Sequence, residues 1–305
     1  MSSAKFAAAR SNGDVLLYDE KYETVHKFEA KDLQTQQSKI IGLCSVRDKI
    51  VVCTQQGHIV MCGLKDLDVS FSKLPNAKDL EVFKADLKNS FIFAYGGKEQ
   101  DLRIVNIEPK TGEVTPVFEA KNVKNDRLDM RQAIWITDLE FLPTKAENDF
   151  KLVTATRYGQ LRVYETAQKQ RPIINIKISD RPLCRVLKVT NDTVVATDNH
   201  ISTFKYKIRS SDTQLVGKYG SGNTGAVQAL CSKGSLLATG GLDRYLRVFD
   251  IESRELCGRI FVGNHITNVI VLEEDNGDLT AHESEEDVWK DLEKAEKRKK
   301  RRKLD

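Results

Sequence analysis

Several features that mark particular protein classes are missing from this sequence. No run of 18 apolar residues occurs in its 305 positions, so no transmembrane helix is predicted. The first five residues are not followed by an apolar stretch, so no secretory signal peptide is predicted either. The six cysteines form no Cys-x-x-Cys pair and most lie in apolar stretches. This pattern argues against zinc and favours a reducing compartment.

Catalytic motifs are equally scarce. The five histidines are dispersed without metal-ligand spacing, and no nucleophile elbow or paired-carboxylate motif stands out. One glycine pattern at residues 220–225 has the spacing of a dinucleotide-binding loop, but a strand-like segment follows it instead of a helix, so it is interpreted as a connecting loop. The sequence therefore predicts no enzyme, and no catalytic, cofactor-binding or metal-binding residue.

Charge is distributed unevenly along the chain. Residues 273–305 hold 9 basic and 12 acidic residues, whereas the first 272 residues hold 39 basic and 32 acidic ones. Within the last segment the acidic residues come first and the basic residues last. A mildly basic body suits an anionic partner without identifying one.

A repeat is the strongest signal that the sequence does contain. Its clearest copy, residues 226–260, divides into four short segments rich in β-branched and aromatic residues, separated by turn residues. The central turn recurs with steps of 44, 40, 62, 40 and 43 residues, at Gly13, Gly57, Gly97, Gly159, Asn199 and Leu242. A period of 40 to 45 residues with four strands per unit is typical of a WD40-type β-propeller, an all-β fold.

The two ends of the chain bear on the number of blades. Residues 5–9, 15–19 and 24–28 resemble the last three strands of a blade, and residues 266–272 resemble an innermost strand without a blade. Joining the two would close a ring of six blades, although seven is the commoner number. We expect a propeller over residues 1–272 and a flexible tail over residues 273–305, with a short helix at 285–297.

Three segments resemble one known family. They are residues 116–143, which include the insertion KNVKND, residues 240–248 (GGLDRYLRV) and the tail at 286–303 (EDVWKDLEKAEKRKKRRK). These segments are similar to signatures of the WD repeat-containing protein 74 family and its fungal counterparts. Members of that family usually begin about one blade earlier than this chain does.

The resemblance implies a seven-bladed propeller that acts as a nucleolar assembly factor for the large ribosomal subunit. Such a protein binds pre-60S particles as a monomer, supports rRNA processing, and is released by an NVL-type AAA ATPase. Its implied partners are pre-60S ribosomal proteins, assembly factors and pre-rRNA, with no membrane. Nuclear and nucleolar localisation is the corresponding expectation.

The insertion at residues 120–130 is the first candidate site. Long loops on a rigid scaffold often carry binding residues, and lysine and arginine can meet phosphates while asparagine reads polar edges. The alternative is a solvated inter-blade loop packed by Leu128 and Trp135. With the resemblance in hand, a contact with the particle or its RNA is favoured, through Lys121, Lys124, Asn125, Arg127 and Arg131.

Basic residues beside the recurring turns form the second candidate site. Ring closure would place them on related surfaces, where they could bind an acidic peptide or an RNA backbone. The alternative is that each pairs with a carboxylate of a neighbouring blade. The set comprises Lys98, Arg103, Arg157, Arg162, Arg244 and Arg247, of which Lys98, Arg157 and Arg244 are the proposed rim contacts.

The tail is the third candidate site. Trp289 and Leu292 would share one face of its short helix and could anchor a partner protein. Seven consecutive bases are interpreted as a nuclear localisation signal, with a solubilising terminus as the alternative: Lys297, Arg298, Lys299, Lys300, Arg301, Arg302 and Lys303.

Two other functions are weighed against the ribosome-assembly platform. An adaptor that recruits a peptide, such as a histone tail or a ubiquitin-ligase substrate, would have an acidic or aromatic central pocket. A propeller enzyme would need carboxylates or histidines clustered at the axis, and the sequence indicates none.

Overall fold

Short apolar segments bounded by turn residues form β-strands throughout the computed structural model. It describes residues 6–10, 12–19, 21–29, 39–89, 91–144, 149–210, 212–220 and 222–271, and within these ranges there are 23 strands and no helix. Over the same residues, no helix has the length and apolarity needed to cross a membrane. The chain divides into two units, residues 1–270 and 271–305, and the first contains all of these strands.

The strands form six antiparallel sheets, here called blades, in which each strand pairs with the next along the chain. Blade 1 is β1 (Phe6–Ala9), β2 (Asp14–Tyr18) and β3 (Thr24–Glu29). Blade 2 is β4 (Ile40–Val46), β5 (Lys49–Thr54), β6 (His58–Gly63) and β7 (Val69–Lys73). Blade 3 is β8 (Leu80–Ala85), β9 (Ile92–Gly97), β10 (Gln100–Ile107) and β11 (Val114–Glu119).

The remaining three blades repeat this order. Blade 4 is β12 (Ile136–Leu142), β13 (Lys151–Thr156), β14 (Gln160–Glu165) and β15 (Ile174–Lys177). Blade 5 is β16 (Leu183–Lys188), β17 (Thr193–Asp198), β18 (Thr203–Ile208) and β19 (Thr213–Lys218). Blade 6 is β20 (Val227–Lys233), β21 (Leu236–Gly241), β22 (Tyr245–Asp250) and β23 (Leu256–Phe261). The predicted six-blade, four-strand repeat and the three-strand opening are confirmed.

The core lies between the blades. In blades 2, 4 and 5 the second and third strands are buried almost throughout, because a neighbouring blade covers each of their faces. Between blades 4 and 5, for example, Val153 and Leu161 pack with Val186 and Val194. The first strands, β4, β8, β12, β16 and β20, line a central channel of about 380 Å³.

Glycine allows the start of one blade to approach the second strand of the blade before it. A Cβ on Gly96 would lie 2.8 Å from Cδ1 of Ile136, the first residue of β12. A Cβ on Gly240 would likewise lie 2.4 Å from Cγ2 of Ile266. Ile266 therefore packs on blade 6 as Ile136 packs on blade 3.

The segment that begins at Ile266 departs from its predicted conformation. Residues 266–272 were expected to form a strand, but residues 266–271 are irregular, and residue 272 lies outside the described ranges. Thr267 and Asn268 nevertheless line the channel beside the five innermost strands. The alternation of apolar residues indicated which surface this segment covers. That alternation does not determine whether the segment forms the hydrogen bonds of a strand. Over these residues, the segment does not pair with β1.

Candidate functional site

The connection between blades 3 and 4 is longer than the other described connections. It contains the 16 residues between Glu119 and Ile136, whereas blades 2 and 3, 4 and 5, and 5 and 6 are joined by six, five and eight residues. This extra length is the insertion expected from the long step in the repeat. It lies along the seam between blades 3 and 4, where it contacts the β9–β10 turn of one blade and the β14–β15 loop of the other.

The tip of the insertion, residues 126–130, is a turn organised by Asp126. Its Oδ1 accepts the N–H groups of Leu128 (2.8 Å) and Met130 (2.9 Å). Asp129 adopts the left-handed region, with φ of 58°. The side-chain amide of Asn125 donates to the main-chain oxygen of Asp129 at 3.1 Å and to the Asp129 carboxylate at 2.9 Å. The amide N–H groups of Asn125 thus hold this turn in shape, and its contact with a partner stays a prediction.

A buried arginine anchors the base of the insertion. Arg162, on β14, is fully buried, and its guanidinium donates to amide oxygens of Asn122 (2.9 Å), Gln160 (2.9 Å) and Asn175 (3.1 Å). The amide of Asn122 in turn donates to the main-chain oxygen of Gln132 on the returning arm. Arg162, one of the turn bases in the sequence pattern, is therefore a positioning group inside the seam.

Trp135 brings two of the predicted rim cations together. Its ring is half-buried, with the Lys98 ammonium 5.1 Å and the Arg157 guanidinium 4.5 Å from the ring centroid. The main chain fixes this arrangement. Trp135 forms an isolated β-bridge with Lys98, and its main-chain oxygen accepts the N–H of Arg157 at 2.9 Å. Cations stacked on an indole keep hydrogen-bonding groups free for a ligand. The sequence interpretation considered Trp135 only as a packing residue.

Four more cations lie on the same insertion. Lys121, Lys124, Arg127 and Arg131 are exposed on the insertion. Arg131 approaches Glu99 at 3.8 Å with both side chains more than half exposed, while the other three pair with no carboxylate among the described residues. We name these six residues the cationic seam: Lys98, Lys121, Lys124, Arg127, Arg131 and Arg157.

The other turn bases lie elsewhere or are already paired. Arg103 forms an ion pair with Glu119 of its own blade. Arg247 and Asp243 form a buried ion pair of 2.7 Å within blade 6. Arg244 is exposed in that blade, 5.5 Å from the ring centroid of Phe261. Of the six bases in the sequence pattern, only Lys98 and Arg157 meet on an exposed surface.

As lined by the described residues, the central channel is neither acidic nor aromatic. Its charged lining consists of Lys39, Glu81, Lys84, Asp138 and Arg185, and its aromatic lining is Phe83. Lys84 lies 3.1 Å from Asp138 and 3.1 Å from Glu140. Burial would lower the pKa of Lys84, but these two carboxylates more than offset it and raise that pKa. The described residues therefore do not form the acidic or aromatic pocket expected of a peptide-recruiting adaptor.

In the described part of the chain, no three or more His, Cys, Asp or Glu side chains are arranged to hold a metal ion. The remaining predicted sites, Trp289 and Leu292 and the bases at 297–303, lie outside the described residues.

Comparison with known proteins adds evidence from sequence. No family model matches the chain. A protein of Meyerozyma guilliermondii named ribosome biogenesis protein NSA1 is 36% identical over 287 residues, covering 84% of this chain and 71% of the relative. A Yarrowia lipolytica protein of the same name is 32% identical over 350 residues, covering 98% of this chain and 82% of that relative.

Solved structures are similar in fold. The β-propeller domain of Myceliophteria thermophila Cps50 (Swd1) matches with a TM-score of 0.66 and 15% identity, over 85% of this chain and 83% of that one. Saccharomyces cerevisiae Sqt1 matches with a TM-score of 0.64 and 12% identity, over 86% of this chain and 73% of that one. At these identities the likeness establishes the propeller fold alone.

Proposed function

This chain belongs to the ribosome biogenesis protein NSA1 family, and from that premise we propose that it is a non-enzymatic nuclear scaffold that docks on pre-60S particles and supports rRNA processing. The family resemblance found in the sequence is thereby confirmed, together with a role in ribosome biogenesis. A propeller suits a scaffold, because its stacked blades hold loops in fixed positions around a rigid core.

The cationic seam is the observation that carries the proposal for particle binding. Its lysines and arginines are exposed, and most are not neutralised by carboxylates of the described chain. Such cations suit the phosphates of pre-rRNA, which attract them irrespective of base sequence. The insertion is held at both ends and by Arg162, so little conformational entropy remains to be lost on binding. Arg244 of blade 6 would form a separate contact.

The proposal extends to the tail. Trp289 and Leu292 would serve as a handle for an NVL-type AAA ATPase that releases the protein, and the bases at 297–303 would direct it to the nucleus and nucleolus. Coupling of folding to binding would favour transient partners, which suits release. Ribosomal proteins and assembly factors of the pre-60S particle would be its other partners, with the chain present as a monomer.

Co-sedimentation tests the particle contact. The full chain carrying Lys121→Glu, Lys124→Glu and Arg127→Glu should bind large pre-ribosomal particles weakly. The slope of log affinity against log salt should become shallower by about 0.7–0.9 for each phosphate contact that is lost. The matched control reverses three exposed lysines of blades 2 and 3 outside the seam, Lys73, Lys88 and Lys110, and should bind normally. Equal binding by both triple variants would reject the seam as the docking surface.

The tail requires a separate experiment. Trp289→Ala with Leu292→Ala should leave particle binding intact and delay release by the ATPase. A fluorescent chain without residues 297–303 should lose nuclear accumulation. If the tail variant fails to bind particles while the triple loop variant binds normally, the two roles are reversed.

A further inference from the structure

We propose that the tip of the insertion docks into a protein component of the particle, in an apolar pocket edged by carboxylates. The inference rests on the proposed function, because it identifies what one part of the cationic seam binds. Its basis is a pair of exposed apolar side chains, Leu128 and Met130, at the end of the insertion.

The two apolar side chains are exposed together on one short turn. Leu128 is 77% exposed and Met130 is 56% exposed, and both lie on the same five-residue turn. Single exposed apolar residues are common on protein surfaces and need no explanation. Leu87 is such a case, at 89% exposure in the β8–β9 hairpin among polar neighbours. Two large apolar groups on one projecting turn present more apolar area to a single partner.

The turn holds both groups in place before any partner binds. Both of their N–H groups donate to the same carboxylate oxygen of Asp126, and the N–H of Asp126 donates to the main-chain oxygen of Met130 at 3.0 Å. Farther back, the amide of Gln132 donates to the main-chain oxygen of Lys124 at 3.2 Å, joining the two arms. A rigid apolar tip loses little backbone entropy on docking, which favours its use as an anchor.

The surrounding charges indicate the chemistry of the pocket. Arg127 is exposed within the tip and Lys124 is exposed beside it, and neither pairs with a carboxylate among the described residues. The acidic groups nearby are engaged in the turn, where Asp126 accepts two N–H groups and Asp129 accepts the amide of Asn125. The connection at residues 120–135 carries four basic and two acidic residues, so its apolar tip stands on a segment with an excess of positive charge. Carboxylates around an apolar pocket complement both features.

A protein fits the tip better than RNA does. Leucine and methionine gain free energy by burying apolar area, and a phosphate backbone offers none. Neither side chain has the aromatic ring or planar guanidinium on which bases stack. Methionine in particular suits protein-binding surfaces, where its flexible thioether adapts to the pocket. The cations at the base of the seam, Lys98, Lys121, Arg131 and Arg157, would remain for RNA.

The test uses the full chain and pre-60S particles from cells depleted of the native protein. Leu128→Ser with Met130→Ser should weaken particle binding by about tenfold or more, as expected when two anchor side chains are lost. Its salt dependence should be unchanged, since no charge is removed. Leu87→Ser is the matched control and should bind normally. Thermal melting of each variant establishes that its fold is intact.

A photocrosslinker distinguishes the class of partner. A benzophenone amino acid replacing Leu128 should yield, on the particle, an adduct that survives ribonuclease and is destroyed by protease. Normal binding by Leu128→Ser with Met130→Ser, or an adduct that ribonuclease removes, overturns the inference. If that variant binds normally while the triple charge reversal fails to bind, only the inference has failed. If both bind normally, the cationic seam is rejected as the docking surface as well.

Discussion

At the scale of single residues, Asp243 links a surface turn to a buried charge. Its carboxylate accepts the N–H of Tyr245 at 3.2 Å, as expected of an aspartate in a glycine-rich turn. It also lies 2.7 Å from the guanidinium of Arg247, with both side chains only 3% exposed. Removing one partner of a buried ion pair leaves the other charge without compensation, which costs more than the loss of a turn hydrogen bond.

Asp243→Ala should therefore lower the free energy of unfolding by about 3–5 kcal/mol. From the turn alone, about 0.5–2 kcal/mol would be expected. Urea unfolding measures the difference. Asp180→Ala is the control, because Asp180 pairs with Lys177 while 94% exposed, and it should leave the unfolding midpoint unchanged. Equal midpoints for the two variants would contradict the structural role assigned to Asp243.

At the scale of elements, one charged cluster joins the first strands of three blades. Lys84 of β8 pairs with Asp138 and Glu140 of β12, and the second oxygen of Asp138 accepts the N–H of Val186 of β16 at 2.9 Å. Burial raises the pKa of Glu140, and Lys84 acts in the opposite direction. The stacked blades are thus joined by paired charge at the channel wall as well as by apolar packing.

Lys84→Met should destabilise the propeller by about 2 kcal/mol at neutral pH, less than for a fully buried pair because the Lys84 side chain is 33% exposed. The loss should shrink as the pH falls. Without the lysine, the folded-state pKa of Glu140 rises further above its unfolded value, so the variant loses stability as pH rises through that pKa. Urea unfolding at several pH values measures this. Lys207→Met, which removes a half-exposed pair with Asp192, should have little effect.

At the scale of the whole propeller, blade 6 is completed by residues that follow it. Its outer strand β23 is exposed along its length, whereas Ile266 packs on Gly240 and Thr267 and Asn268 reach the channel. The N–H of Ile266 donates to the main-chain oxygen of Gly241 at 3.1 Å. In a repeat protein each unit is stabilised by its neighbours. This segment therefore makes some of the contacts with blade 6 that the innermost strand of a neighbouring blade would make.

Gly240→Ala should displace this segment, because the added methyl would lie 2.4 Å from Cγ2 of Ile266. Hydrogen exchange of peptides covering residues 262–270 should become faster by about tenfold or more. Gly258→Ala in the same blade is the control, since its Cβ would meet no atom within 4 Å. Unchanged protection at Ile266 in the Gly240 variant would show that the contact does not hold the segment.

The strands, their period and the family were all determined by the sequence itself. Strand positions such as those of blade 6 follow from local alternation and turn residues, which act over a few neighbours. The tertiary structure decided which turn bases meet. Lys98 and Arg157 stack on Trp135, while Arg162 and Arg247, from the same sequence pattern, are buried. These outcomes depend on how one blade packs against the next, and a repeat period carries no information about which side chains cross that interface.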